Sequence, residues 1–155
     1  MRCGRAWPVS TWSRNSPTVQ PFPDDPLPGS LVDPWAIKQN GIRDGIWLRI
    51  LDLERAVADR GFESDGQVVV KVADSMGFCE GTWCITVREG QGEAARTSLS
   101  PAVELGVDSL ARLWFGDVTA AQLARSGIVH GSPGSVQELS RLFATAFGPV
   151  NLNDF

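Results

Sequence analysis

The chain has 155 residues, of which 43% are apolar and 21% charged, and its formal net charge is −4. This length and balance are typical of one soluble globular domain with a substantial core. The acidic charge and the lack of a basic block argue against nucleic acid or an anionic membrane as the partner. No apolar run reaches transmembrane length. The three cysteines are irregularly spaced, which indicates reduced thiols in a cytoplasmic protein.

The first part of the chain differs in composition from the rest. Five prolines lie between Ser16 and Pro28, and a sixth is Pro34. Proline fixes φ and removes a backbone donor, so this stretch has neither helical nor strand character. We therefore expect residues 1–34 to be a proline-rich linker or the remnant of a preceding region, and residues 35–155 to form the main domain. A short extended piece from Trp35 to Gln39 follows the prolines.

The main domain is predicted to begin with a strand and a helix. Residues 45–51, "GIWLRIL", alternate in the manner of a strand. Asp52 then suits the N-cap of a helix over residues 53–60, and Gly61 suits the position after its end.

Several strands are predicted next. Residues 66–74 form an apolar run that is typical of a buried strand, and residues 82–89 alternate as a second strand. We interpret "GQG" at 90–92 as a hairpin turn, with the return strand over residues 95–99. Residues 102–107 are a further short strand candidate.

Two short helices follow. Asp108 is a candidate cap for a helix over residues 109–115. Thr119 and Gln122 have capping-box spacing for a helix over residues 120–126.

The last helix has two possible starts. One is Ser132 with Pro133 at the first helical position, and the other is a capping box of Ser135 and Glu138. The expected core stripe of this helix is Val136, Leu139, Leu142, Phe143, Ala146 and Phe147. Strands grouped before helices predict an α+β fold, with helices on one face of a mostly antiparallel sheet.

Candidate chemical sites in the sequence are weak. No nucleotide-binding glycine motif, zinc-protease motif or nucleophile elbow occurs. A zinc site could draw on Cys3, Cys79, Cys84 and His130, but the cysteine spacing favours separate thiols and a loop histidine. The "GSPGS" segment at 131–135 is more simply a helix cap than an anion site.

Two apolar features have alternative interpretations. The loop "DSMGFCEGTW" at 74–83 either borders an apolar pocket or only connects two strands. The six Trp and seven Phe either line a lipid cavity or form an ordinary core, and their helical spacing favours the core.

The order of several motifs resembles the C-terminal part of Eis-type ("enhanced intracellular survival") GNAT N-acetyltransferases. The segment "VELGVDSLARLWFGDVTAAQLARSGIV" is similar to the family's V-D-x-L-[GA]-x-L-[YW]-x-G-G-x-[ST] motif followed by L-A-R-[AS]-G-x-[VI], and "NDF" to its aromatic end. Residues 1–21 match poorly, which favours an internal or misassigned start at Met1. An earlier segment, "PDDPLPGSLVDPWAIKQNGIRDGIWLRILDLERAVADRGF", is similar to the passage by which the family enters its C-terminal domain. The matching positions in it are Asp24, Asp25, Pro26, Leu27, Leu31, Asp33, Pro34, Gly41, Asp44, Trp47, Arg49 and Asp52.

This resemblance implies a sterol-carrier-protein-2-like (SCP2-like) fold and a role in amine acetylation. In the family, a preceding GNAT region holds acetyl-CoA, and the C-terminal carboxylate serves as the base for the amine. Carried over, the base is the carboxylate of Phe155, and Asp154 contributes to binding the cationic amine. This chain contains no cofactor site and, with no Tyr, lacks the family's general acid.

Two functions from different classes follow. The first is the C-terminal domain of an Eis-like acetyltransferase, inactive alone, whose partners are the GNAT region of the same protein or neighbouring copies in an oligomer. It predicts a filled core and exposed apolar patches. The second is a stand-alone SCP2-like module for a lipid or other apolar ligand, which predicts a sizeable apolar cavity. An interaction domain without a ligand is a third possibility.

Overall fold

A computed structural model of the chain describes residues 27–33, 47–116 and 118–146. The chain divides into two units, Met1–Lys38 and Gln39–Phe155. In the first unit the described residues form one short helix, α1 (Leu27–Ser30). The predicted boundary after residue 34 and the predicted extended piece at 35–39 lie outside the described residues, so both stay predictions.

The second unit contains a sheet and four helices among its described residues. Its elements in chain order are α2 (Leu53–Ala58), β1 (Gly66–Ala73), β2 (Gly81–Arg88), β3 (Gln91–Arg96), β4 (Val103–Gly106), α3 (Val107–Phe115), α4 (Ala120–Arg125), β5 (His130–Gly131) and α5 (Pro133–Leu142).

The sheet has the order β3-β2-β1-β4-β5. β1, β2 and β3 form an antiparallel meander. The chain then crosses to the other side of β1, where β4 runs parallel to it and β5 pairs antiparallel with β4. The predicted α+β fold with a mostly antiparallel sheet is confirmed.

One face of the sheet carries the core. Alternate residues of β1 are buried and the residues between them are exposed or half-buried, as expected for a strand with one face against helices. β2 repeats this alternation. The helices contribute apolar side chains to the same buried cluster. Fully buried members from strands and helices include Val57, Val70, Ile85, Val103, Leu110, Leu113, Leu139 and Leu142.

The β2–β3 hairpin turns one residue earlier than predicted. Glu89 and Gly90 have φ of 52° and 77°, the left-handed conformation of a two-residue turn that matches strand twist. β3 therefore begins at Gln91 rather than at residue 95. Gly92 is required there by packing, because a Cβ atom would lie 2.8 Å from the carbonyl oxygen of Val57 in α2.

Three predicted helix caps are confirmed. The Asp52 carboxylate accepts from the backbone N–H of Arg55 at 3.0 Å. Thr119 forms the expected capping box in α4. Ser132 Oγ accepts from the backbone N–H of Ser135 at 3.2 Å. These hydrogen bonds satisfy N–H groups that the first helical turn leaves free.

Other local predictions are wrong. Of the two possible starts of α5, the one at Ser135 is not used. α3 begins at Val107 after Gly106, so Asp108 lies inside its first turn rather than at the cap. The predicted strand at 45–51 is irregular over its described residues 47–51.

Candidate functional site

The two residues predicted to form the amine site, Asp154 and Phe155, lie outside the described residues, so their roles stay predictions. The described part of the chain stops at Ala146, just before the C-terminal segment. Ala146, predicted as part of the core stripe, is exposed, and Phe147 lies outside the described residues.

The residues that lead into the C-terminal segment are held by Arg60. Its Nε donates to the carbonyl of Trp114 at 2.9 Å, and its Nη2 donates to the carbonyl of Phe143 at 3.0 Å. Trp114 is in the last turn of α3, and Phe143 is the residue at which α5 ends. One guanidinium thus binds the carbonyl ends of two helices, where the helix dipoles favour a positive charge.

Arg60 is a buried cation, and within residues 27–33, 47–116 and 118–146 no carboxylate is hydrogen-bonded to it. Its guanidinium carbon lies 4.6 Å and 5.0 Å from the ring centres of Phe62 and Phe143, which hold it by cation–π contact. Burial lowers the pKa of Arg60, and the charge of Glu63 opposes this shift. Nη1 has no hydrogen-bond partner among the described residues. Glu63 Oε1 accepts a hydrogen bond from the backbone N–H of Ala146 at 2.8 Å. Residues 60–63 therefore hold the position at which the C-terminal segment begins.

A second notable region lies at the carboxyl end of β1. Two segments there, 47–51 and 76–78, present large apolar side chains to solvent. We call this group the apolar surface: Trp47 (87% exposed), Leu48 (44%), Leu51 (57%), Met76 (62%) and Phe78 (50%).

Asp74 ties the two segments of the apolar surface together. Its carboxylate pairs with the guanidinium of Arg49. It also accepts from the backbone N–H groups of Met76 at 3.0 Å and Cys79 at 2.9 Å. The hydrogen bond from Cys79, followed by those from Met76 and the charge of Arg49, holds the pKa of the buried Asp74 carboxyl below its usual range.

The far end of the β1–β2 loop is fixed as well. Trp83 Nε1 donates to the carbonyl of Cys79 at 2.9 Å. Arg96 Nη1 donates to the carbonyl of Glu80 at 2.7 Å, and its guanidinium lies over the Trp83 ring. Cys79 Sγ contacts the carbonyl of Ile50 at 3.3 Å. The exposed Met76 and Phe78 are therefore carried by a loop that is fixed at both ends.

The interior between sheet and helices is occupied by side chains. The core cluster continues from the strands into α2, α3, α4 and α5. Two depressions stand out, and both are open grooves. One, of about 400 Å³, lies between β1 and the start of α5. The other, of about 420 Å³, lies between α2 and β3.

Neither groove suits acetyl-CoA, the cofactor that the family resemblance places in a preceding region. A diphosphate requires basic side chains or a cluster of free backbone N–H groups. The groove beside α5 has Glu138 as its charged lining residue. The groove beside α2 combines Arg55 with the carboxylates of Asp52, Glu54 and Glu93. No step of catalysis is therefore assigned to acetyl-CoA in these grooves.

The described cysteines and His130 are not assembled into a site. Cys79 is buried, and burial followed by the nearby Asp74 charge raises the pKa of its thiol, which makes it unreactive. Cys84 is half-buried in β2, and His130 is exposed in β5. Within residues 27–33, 47–116 and 118–146, no group of three or more acidic, Cys or His side chains could hold a metal ion. Cys3 lies outside those ranges.

Sequence reasoning missed Arg60 and Asp74 as organising residues. Arg60 was placed at the end of a helix, where a surface position is the usual expectation. Asp74 was placed in the loop at 74–83, and an Asp three residues before a Gly is a common turn signal. Its pairing with Arg49 was not predicted. Their long-range partners could not be deduced from local spacing, because Trp114 and Phe143 are 54 and 83 residues from Arg60.

Comparisons with known proteins give consistent matches. A family profile described as "Sterol carrier protein domain" matches residues 53–150. An uncharacterized N-acetyltransferase of Streptomyces avermitilis is 37% identical over 108 residues, which cover 70% of this chain and 26% of the relative. The N-acetyltransferase Eis of Mycobacterium tuberculosis is 29% identical over 105 residues, or 66% of this chain and 25% of that protein.

A solved structure supports the same relationship. The crystal structure of Eis1 from Mycobacterium abscessus matches with a TM-score of 0.72 and 33% identity, covering 85% of this chain and 33% of that one. The chain thus spans about a quarter to a third of the length of these relatives. Within its described part, no helix is both long and apolar enough to cross a membrane.

Proposed function

The chain belongs to the sterol carrier protein domain family, and from its similarity to N-acetyltransferases and to Eis1 we propose that it acts as the C-terminal domain of an Eis-like N-acetyltransferase. In this role it shapes the amine site and supports assembly with a preceding GNAT region. The match to the crystal structure of Eis1 from Mycobacterium abscessus, at 33% identity over 85% of this chain, supports this choice over a stand-alone lipid-binding module.

The proposed chemical contribution is the carboxylate of Phe155. A carboxylate is ionised above about pH 4 and can take a proton from an ammonium group, which frees the nitrogen lone pair to attack an acyl carbon. Asp154 adds a second negative charge that attracts a cationic substrate. The hydrogen bond between Glu63 and Ala146 supports this role, because it fixes the start of the C-terminal segment nine residues before its end.

This proposal places the acetyl donor outside the chain. Acetyl-CoA supplies the acyl group from the GNAT region of the complete enzyme, and the described residues position the base. The isolated chain should therefore show no amine acetylation. Clear turnover by the purified chain, without any added acetyltransferase region, would contradict the proposal.

The base is tested in a fusion of the acetyltransferase region of the Mycobacterium abscessus relative to this chain. Converting the terminal carboxyl of Phe155 to a carboxamide removes its charge without adding bulk. We expect kcat for amine acetylation to fall by about 100-fold, the usual contribution of a general base, with the melting temperature unchanged. Asp154→Asn is the companion variant, expected to raise KM for a polycationic amine more than it lowers kcat. Unchanged kcat in the carboxamide would exclude the role of Phe155.

A further inference from the structure

The apolar surface is the feature that neither the core nor the C-terminal segment explains. Five large apolar side chains are exposed on two segments, 47–51 and 76–78, which the Arg49–Asp74 pair and the Cys79–Ile50 contact bring together. Scattered single apolar residues on a surface are ordinary, but a group of this kind marks a contact site. Trp, Met and Phe are also residue types enriched in the centres of protein interfaces.

The apolar surface is pre-organised. The salt bridge of Arg49 with Asp74 joins its two segments, and the Cys79 thiol contacts the carbonyl of Ile50 at 3.3 Å. Trp83 and Arg96 bind the carbonyls at the end of the same loop. A rigid surface loses little conformational entropy on binding, so this arrangement favours a stable contact. The structure maintains the exposed side chains in place although they add nothing to the core.

We propose that the apolar surface docks against the acetyltransferase region that accompanies this domain in its relatives. Two observations select that occupant. The segment 47–51 is itself part of the surface and is where the chain enters the matched domain from its N-terminal side. The relatives also contain two-thirds or more of their length outside the match, so a large attached region is available as the occupant.

The charges beside the surface define the partner further. Asp52 follows Leu51, Glu80 is the last residue of the β1–β2 loop, and both are exposed acidic residues. The complementary face is therefore an apolar patch bordered by Lys or Arg. This inference rests on the proposed function, but it concerns docking and makes no use of the Phe155 carboxylate.

Cysteine labelling tests the inference directly. Cys3 and Cys84 are replaced by Ser, and the buried Cys79 is kept. Single cysteines are then introduced as Leu51→Cys and Phe78→Cys in the apolar surface. The matched controls are Leu99→Cys and Ile128→Cys, which replace apolar residues of similar exposure elsewhere. Maleimide labelling rates are measured in this chain alone and in the fusion to the acetyltransferase region.

We expect all four cysteines to react quickly in the chain alone. In the fusion, Leu51→Cys and Phe78→Cys should slow by about tenfold or more, since interface cores exclude water, while the controls keep their rates. Equal rates at all four positions in the fusion would overturn the inference. Protection that appears in the chain alone and grows with its concentration would also overturn it, because a second copy would then be the occupant.

The same fusion separates this inference from the proposed function. Loss of acetylation in the Phe155 carboxamide with no protection at Leu51 or Phe78 refutes the docking surface alone. Protection at both positions with full activity of the carboxamide refutes the role of the C-terminal carboxylate alone.

Discussion

The interior and the apolar surface use the same kinds of side chain for different ends. In the interior, Leu139 and Ile85 are completely buried between sheet and helices. In the apolar surface, Trp47 and Leu51 are mostly exposed, yet hydrogen bonds fix the segments that carry them. The number of apolar residues alone therefore does not show whether a region forms a core or a contact surface. What distinguishes the two regions is whether the protein itself covers the side chains.

The largest expected effect concerns the interior. Leu139→Ala should lower the free energy of unfolding by about 2–5 kcal/mol, because it removes buried methyl groups and leaves a cavity. Leu51→Ser in the apolar surface should change it by no more than about 0.5 kcal/mol. Urea denaturation of both variants measures the difference. Similar losses in the two variants would mean that the apolar surface belongs to the core.

Arg60 is a charged side chain within the interior, so it tests how much a buried polar group contributes to stability. Arg60→Met removes two hydrogen bonds from a charged donor and leaves the carbonyls of Trp114 and Phe143 without that partner. We expect a loss of about 3 kcal/mol, because each such bond contributes roughly 1.5–3 kcal/mol and methionine recovers part by packing. Arg55→Met, on an exposed arginine of α2, is the control and should be close to neutral. Equal stability of the two variants would show that the hydrogen bonds of Arg60 to α3 and to the end of α5 do not stabilise the fold.

The smallest effect is the pH dependence that Asp74 gives to the scaffold of the apolar surface. Its pKa is lower in the folded than in the unfolded protein, so it stabilises the fold above the unfolded value and this contribution is lost as pH falls through the folded value. The free energy of unfolding should therefore decline as pH drops below about 4. Asp74→Asn should weaken that decline, whereas Asp59→Asn, on an exposed carboxylate, should keep it. Parallel pH profiles of wild type and Asp74→Asn would contradict this assignment.

The fold was predictable from sequence because its signals are local. The alternation in β1 and β2, the Thr119 capping box and the Ser132–Pro133 start of α5 all depend on neighbouring residues. Some wrong predictions are local, such as the Asp108 cap and the Ser135 start of α5, and others depend on distant partners. Residues 47–51 alternate like a strand, but the described part is held by Asp74 and has no strand neighbour. The early start of β3 reflects packing of α2 against Gly92, which no local pattern reveals.

The candidate site was predictable only in outline. Exposed apolar residues were expected from the acetyltransferase hypothesis, and the described residues include several. The filled core that the same hypothesis predicts stays a prediction. Which residues form the apolar surface could not be deduced, because it combines segments joined only through the Arg49–Asp74 pair. The roles of Asp154 and Phe155 stay predictions, since both residues lie outside the described part of the chain.

The most direct test of the account is the size of the native polypeptide. An antibody raised against this domain would be used on an immunoblot of the source cells. Because the chain spans 33% and 26% of two of its relatives, the reciprocals predict a polypeptide about three to four times as long as these 155 residues. A band of that size would support the proposal that this domain is part of a longer polypeptide with an acetyltransferase region. A single band at the size of this chain would contradict the account and identify an independent module.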